Sequence, residues 1–267
     1  MYKLIQGDCL EVMKNIPNES IDMVMTSPPY DNLRTYNGEV EWNFDKFSKI
    51  ALQLCRVLKK GGVIVWIVND ATIKGSETGS SFKQALFFMQ QGLNLHDTMI
   101  WEKPTIPYDP KCNRYWQTFE YMFIFSKGKP ICNYLTEPCK NAGKKKTNDY
   151  GQKRPNGELR TDRYDDKRVI KDTKVRSNIW YYSNNKTVKG HPAQYPEQLA
   201  IDHILSWSNE NSLILDPFMG SGTTGVATLK NNRNFIGIEL VEKYYNIAKN
   251  RIQDIVKTMQ NNDKNGY

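Results

Sequence analysis

The chain has 267 residues, with 37 Lys and Arg against 29 Asp and Glu, giving a formal charge of +8 at neutral pH. That length buries a substantial core, as one large domain with an insertion or as one large domain and a small one. No apolar run is long enough to span a bilayer, residues 1–7 lack the apolar core of a signal peptide, and Cys9, Cys55, Cys112, Cys132 and Cys139 show no Cys-x-x-Cys spacing, so the expectation is a cytoplasmic protein with free thiols and no metal rather than a membrane, secreted or zinc-dependent one.

In chain order, Leu4-Ile5 reads as a strand, Gly7-Asp8-Cys9 as a turn, Leu10 to Asn15 as a short helix and Ile21 to Met25 as a buried strand. Thr26-Ser27-Pro28-Pro29-Tyr30 must end that strand, because proline cannot donate to a sheet ladder and biases its predecessor away from helix. Ser27, Pro28 and Pro29 thus form a stiff loop of outward acceptors beside the Tyr30 ring, which suits a flat, amine-bearing ring. An ordinary strand-ending turn is the alternative from these residues alone. Phe47 to Leu58 has helical spacing and is expected to close at Lys59-Lys60-Gly61-Gly62 before the buried strand Val63 to Val68. Phe82 to Gln91 reads as a helix, and Thr98 to Trp101 and Glu120 to Phe125 as hairpin partners.

From Lys140 to Arg176 there are thirteen basic residues against six acids, most of the net charge of the chain. The segment has few large apolar residues and is suited to lying along phosphates. Lys144, Lys145, Lys146, Lys153, Arg154, Arg160, Arg163 and Arg168 are its candidate DNA contacts, a solvated loop being the alternative.

A helix over Glu197 to Ser206 precedes the strand Leu213 to Leu215, and Asp216-Pro217-Phe218-Met219-Gly220-Ser221-Gly222-Thr223-Thr224 follows directly. Gly220 and Gly222 allow close backbone approach, and Gly225 to Leu229 opens a helix, so the motif is strand, loop, helix. Asn234 to Ile238 is the next strand, ending in Glu239, and Val241 to Met259 a closing helix. There is no Gly-x-x-x-x-Gly-Lys and no Gly-x-Gly-x-x-Gly, which removes phosphate-cradling NTPases and dinucleotides. S-adenosylmethionine fits: its ammonium would meet Asp216 and its ribose Glu239. Alternating strands and helices imply an α/β fold, a mostly parallel twisted sheet covered on both faces, with Ser27, Asp216 and Glu239 at carboxyl ends of strands.

Ser27-Pro28-Pro29-Tyr30 and Asp216-Pro-Phe-x-Gly-Ser-Gly-Thr-Thr together resemble the DNA amino-methyltransferases that act on cytosine N4 or adenine N6. The catalytic segment precedes the cofactor loop, as in the beta group, whose methyltransferase fold is circularly permuted. The resemblance implies that Asp8 meets the cofactor adenine, that His191 in His191-Pro192-Ala193-Gln194-Tyr195-Pro196-Glu197 helps to close the pocket, and that Asp216, Phe218, Gly220, Ser221, Gly222, Thr223 and Glu239 line it. It implies a catalytic half over 1–130, an inserted DNA target-recognition region over 131–180 and a cofactor half over 181–267. It also implies double-stranded DNA as partner and is compatible with a companion restriction endonuclease and a homodimer. A serine at position 27 resembles the cytosine-N4 members, adenine N6 being the alternative. A non-catalytic nucleic-acid-binding module, or an enzyme acting on RNA or a glutamine amide, are the readings from other classes.

Overall fold

The computed structural model describes residues 1–29, 42–104, 114–144, 155–158, 169–183 and 194–264. The chain divides into two compact units, Met1–Asn133 together with Asn178–Tyr267, and Tyr134–Ser177.

The larger unit contains, in order, β1 (Tyr2–Gln6), α1 (Cys9–Met13), β2 (Ile21–Thr26), α2 (Phe44–Val57), β3 (Leu58–Val68), the short pair β4 (Thr72–Ile73) and β5 (Ser76–Glu77), α3 (Ser80–Gln90), β6 (Asn94–Glu102) and β7 (Phe119–Ser126). After the smaller unit, whose strands are β8 (Thr136–Pro138) and β9 (Thr173–Val175), come β10 (Ile179–Tyr181), α4 (Glu197–Trp207), β11 (Leu213–Asp216), α5 (Thr223–Lys230), β12 (Asn234–Glu239) and α6 (Glu242–Lys264).

Eight strands form one sheet in the order β1-β12-β11-β2-β3-β7-β6-β10. Every neighbouring pair is parallel except those made by β7, which is antiparallel to β3 and β6. The carboxyl ends of β1, β12, β11, β2, β3, β6 and β10 therefore share one edge. The strand β11, which leads into the Asp216 to Thr224 motif, lies beside β2, which leads into the Ser27 to Tyr30 motif, with Ile214 opposite Met23 and Leu215 opposite Val24. Residues 191 positions apart are thus strand neighbours, and the permuted order expected from the sequence yields a continuous sheet.

Both faces are covered. Ile236 and Ile238 of β12 join an apolar cluster with Met13 of α1, Phe47 and Leu54 of α2 and Phe88 of α3. Phe235, pointing the other way by the two-residue strand period, joins Val226 and Leu229 of α5 and Ala248 and Ile252 of α6. Burial on both sides explains why Val63 to Val68 carries no polar alternation: each side chain is at most 2% exposed.

Lys59 to Gly62 do not separate helix from strand as expected. The backbone turns extended at Leu58, directly after α2, and these four residues form an irregularity inside β3. Ile21 pairs with Leu58 while Met23 pairs with Val63, so β3 carries extra residues against β2. Lys59 pairs with Asp22 at 2.7 Å and Gly61 donates to the Lys127 carbonyl at 2.7 Å, which satisfies the bulged segment as a sheet element.

In the smaller unit, β8 and β9 are antiparallel, and Lys174 bridges to Glu137 at 2.9 Å across the ladder. Cys139 donates to the Asp172 carbonyl at 2.7 Å, and Gly143 and Ile170 carry the pairing further. This stem, whose apolar residues are few and isolated, is not assigned from the sequence, nor is β10, whose Ile179-Trp180-Tyr181-Tyr182 run is passed over beside the basic segment. Among the described residues no helix is long and apolar enough to cross a membrane.

Candidate active site

The carboxyl edge of the central strands gathers the two motifs. Thr26 ends β2, Ser27 follows half-buried, Pro28 is buried and Pro29 half-buried; Tyr30 lies outside the described residues. Asp216 ends β11 and is 1% exposed. One hydrogen bond ties the motifs together: the Thr26 hydroxyl donates to Asp216 Oδ1 at 2.7 Å. The Phe218 amide donates to the same oxygen at 3.1 Å, and the Thr224 hydroxyl to Oδ2 at 2.5 Å. The Tyr195 hydroxyl joins this network against Thr224 and Asp216.

Burial pushes the Asp216 carboxyl up to about 6, against the pull of its bonds to Thr224, Thr26, Phe218 and Tyr195. The Tyr195 phenol is also held well above its ordinary value, by burial and then by the Asp216 charge. Glu239, the last residue of β12, accepts from the Gly220 amide and the Val241 amide at 2.8 Å each. Its carboxyl too is raised, first by burial, with the Asp216 charge adding to it. Among the described residues neither acid pairs with a cation. Two buried carboxylates whose described partners are neutral donors form a site that favours a positively charged, phosphate-free ligand. The ammonium and sulfonium of S-adenosylmethionine fit that donor set.

The intervening loop is shaped by close approach. Gly220 and Gly222 have φ of +53° and +82°, left-handed values that favour glycine. A Cβ on Gly222 would also lie 3.0 Å from the Ala248 Cβ of α6. Ser221 is buried, Thr223 begins α5, and the half-buried Phe218 meets Trp42 edge-on with ring centres 5.4 Å apart. Trp42, only 4% exposed, walls the loop.

Asp8 follows β1 on the same edge, where its Oδ1 accepts from Leu10 N at 2.8 Å and caps α1, and its Oδ2 pairs with Lys46 at 3.4 Å. His191 lies outside the described residues, as do Lys145, Lys146, Lys153, Arg154, Arg160, Arg163 and Arg168. Lys144 is exposed and donates to Asn141 Oδ1 at 3.1 Å.

Sequence reasoning missed Thr26 as a connector, because a threonine at a strand end reads as an ordinary β residue. It also missed the roles of Tyr195 and Thr224 as partners of Asp216, and Arg251 of α6, which donates to the Ser221 carbonyl at 2.6 Å. Tyr195 and Thr224 lie within segments already singled out, so a search for donors to the buried acid would have found them. Arg251 carries no local signal.

Similarity to known proteins gives the family. The family described as DNA methylase, of the N6/N4 type, matches residues 21–250. The orphan methyltransferase M.BamHII of Bacillus amyloliquefaciens is 47% identical over 264 residues, covering 95% of this chain and 97% of that protein. Type II methyltransferase M.HinfI of Haemophilus influenzae is 30% identical over 291 residues, covering 94% of this chain and 68% of its own length. Among solved structures, the cytosine-N4-specific PvuII DNA methyltransferase shares the fold, with a TM-score of 0.68 over 97% of this chain and 93% of its own, at 21% identity. With its family matched across most of its length and its two motifs on adjacent strands, this chain belongs to the N6/N4 DNA methylases.

Proposed function

We propose that the chain transfers a methyl group from S-adenosylmethionine to the exocyclic amine of a base flipped out of double-stranded DNA, with cytosine N4 as the acceptor. The observation that carries this reading is the Thr26 to Asp216 hydrogen bond, which fixes the start of the amine-binding turn against the buried acid at 2.7 Å. When bound, the sulfonium supplies an electrophilic methyl group. Asp216 would hold the ammonium end, Glu239 the ribose hydroxyls, and Asp8 the adenine side, with His191 helping to close the pocket and Phe218 and the Gly220 to Thr223 turn as its walls.

An exocyclic amine on an aromatic ring is a poor nucleophile while its lone pair is delocalised. The Ser27 side chain and the Pro28 carbonyl accept its two hydrogens, drawing the lone pair out of conjugation, while Pro29 stiffens the turn and Tyr30 stacks on the ring. With the donor bound, the freed lone pair would take the methyl group in line as the sulfonium leaves as a neutral thioether, and the surplus amine proton would go to solvent. Flipping costs a few kcal/mol, offset by stacking and by phosphate contacts. The smaller unit, with the basic residues Lys144 to Lys146, Lys153, Arg154, Arg160, Arg163 and Arg168 in its sequence, supplies target recognition. Serine at position 27 favours cytosine. The orphan relative speaks for action without a companion endonuclease, and a homodimer is a further reading.

The test is transfer of labelled methyl from S-adenosylmethionine to mixed-sequence duplex DNA, followed by digestion to nucleosides and mass identification. N4-methylcytosine is the expected product. N6-methyladenine would keep the mechanism and reverse the base assignment. Label on RNA or protein, with none on DNA, would overturn the substrate.

A further inference from the structure

The helix α6 lies outside both motifs, yet it reaches the cofactor loop with one charged side chain and two apolar ones. Ala248, Arg251 and Ile252 are three and four residues apart and so share a face. Ala248 closes on Gly222, where an added Cβ would sit 3.0 Å from the Ala248 Cβ and 3.4 Å from Ile252 Cδ1. Between these contacts, Arg251 Nη1 donates to the Ser221 carbonyl at 2.6 Å and lies 3.2 Å from Ser221 Oγ and 3.4 Å from Thr223 Oγ1. One guanidinium nitrogen therefore collects three oxygens of the turn that begins α5.

We infer that Arg251 is a positioning residue for the methyl donor: it pins the Gly220 to Thr223 turn in its binding conformation before the cofactor arrives. This rests on the reading that the turn holds S-adenosylmethionine. A turn with two left-handed glycines has much conformational freedom to lose, and a ligand that had to order it would bind more weakly. A charge-assisted bond from a helix already packed on β1 and β12 removes that cost in advance. The Ser221 carbonyl faces Arg251, so the bond also fixes the orientation of the Ser221–Gly222 peptide.

The test compares the full-length wild type, Arg251→Lys and Arg251→Met by calorimetric titration with S-adenosylmethionine, and by methyl transfer to DNA at saturating cofactor. Arg251→Met is expected to weaken cofactor binding about tenfold while the turnover number at saturation stays within about twofold, with Arg251→Lys in between. A purely structural role would instead lower the melting temperature and leave the affinity of the folded fraction unchanged, and that result overturns the inference. If Arg251→Met does not fold, Arg251→Lys carries the test, and wild-type affinity in it is the overturning result. Absence of cofactor binding by the wild type would refute the cofactor reading itself, a separate outcome.

Discussion

Replacing Asp216 with asparagine is predicted to stabilise the fold at neutral pH while abolishing cofactor binding. The Asp216 carboxyl is raised from 3.8 to about 6, so the folded chain holds this proton more tightly than the unfolded chain. The contribution is therefore fully present below 3.8 and lost as pH rises through about 6, above which burying the charge carries a constant cost. A shift of about two units corresponds to roughly 3 kcal/mol. Asparagine has almost the same shape and no charge. Its oxygen would accept from Thr26 and Phe218 as Oδ1 does now, and its amide would donate to Thr224 Oγ1, whose own hydrogen then turns toward Tyr195. The assay is urea unfolding of wild type and Asp216→Asn between pH 4 and 8. The stability difference in favour of the variant should grow by about 2.4 kcal/mol from pH 4 to 7 and then stay flat. A difference independent of pH would refute the reasoning, as would one that grows in the opposite direction.

Further consequences follow from the same geometry. Thr26→Val leaves Asp216 Oδ1 with only the Phe218 amide and should cost about 1–3 kcal/mol in urea unfolding, whereas Thr26→Ser should stay near wild type; equal stability of the two would contradict the bond's importance. Tyr30→Ala should lower methyl transfer by roughly ten- to a hundredfold through lost base stacking, with cofactor affinity unchanged by calorimetry; a matching loss of cofactor affinity would sink that division of roles. Burial, with the Asp8 charge adding to it, pushes the Cys9 thiol up to about 12, so at pH 8 only about one molecule in ten thousand carries the thiolate. Iodoacetamide should leave Cys9 unmodified in the folded chain and label it in urea, as read by peptide mass spectrometry; labelling at equal rates would contradict its burial.

The α/β class and the mostly parallel sheet were legible because both motifs sit at ends of short apolar runs that turn residues bound to strand length and that alternate with helix-length segments. Position on the carboxyl edge then follows from parallel pairing, which brought Ser27, Asp216 and Glu239 to one side. What escaped was long-range. The Thr26 bond joins residues 190 positions apart, and Arg251 reaches back thirty residues from a helix whose sequence reads as an ordinary amphipathic one. Lys59 to Gly62 carried the residue types of a helix stop, and they form a bulge instead because Lys59 finds Asp22 and Gly61 finds Lys127. Asp8 holds two duties at once: its capping bond to Leu10 is local and readable, while its pairing with Lys46 depends on the packing of α1 against α2.

The most direct measurement is a crystal structure of the chain with S-adenosylmethionine. The account predicts the methionine ammonium on the Asp216 carboxylate, the ribose hydroxyls on Glu239, and the methyl group turned toward Ser27 and Pro28. A cofactor seated away from Asp216, or bound there with its methyl group turned from the Ser27 turn, would contradict it.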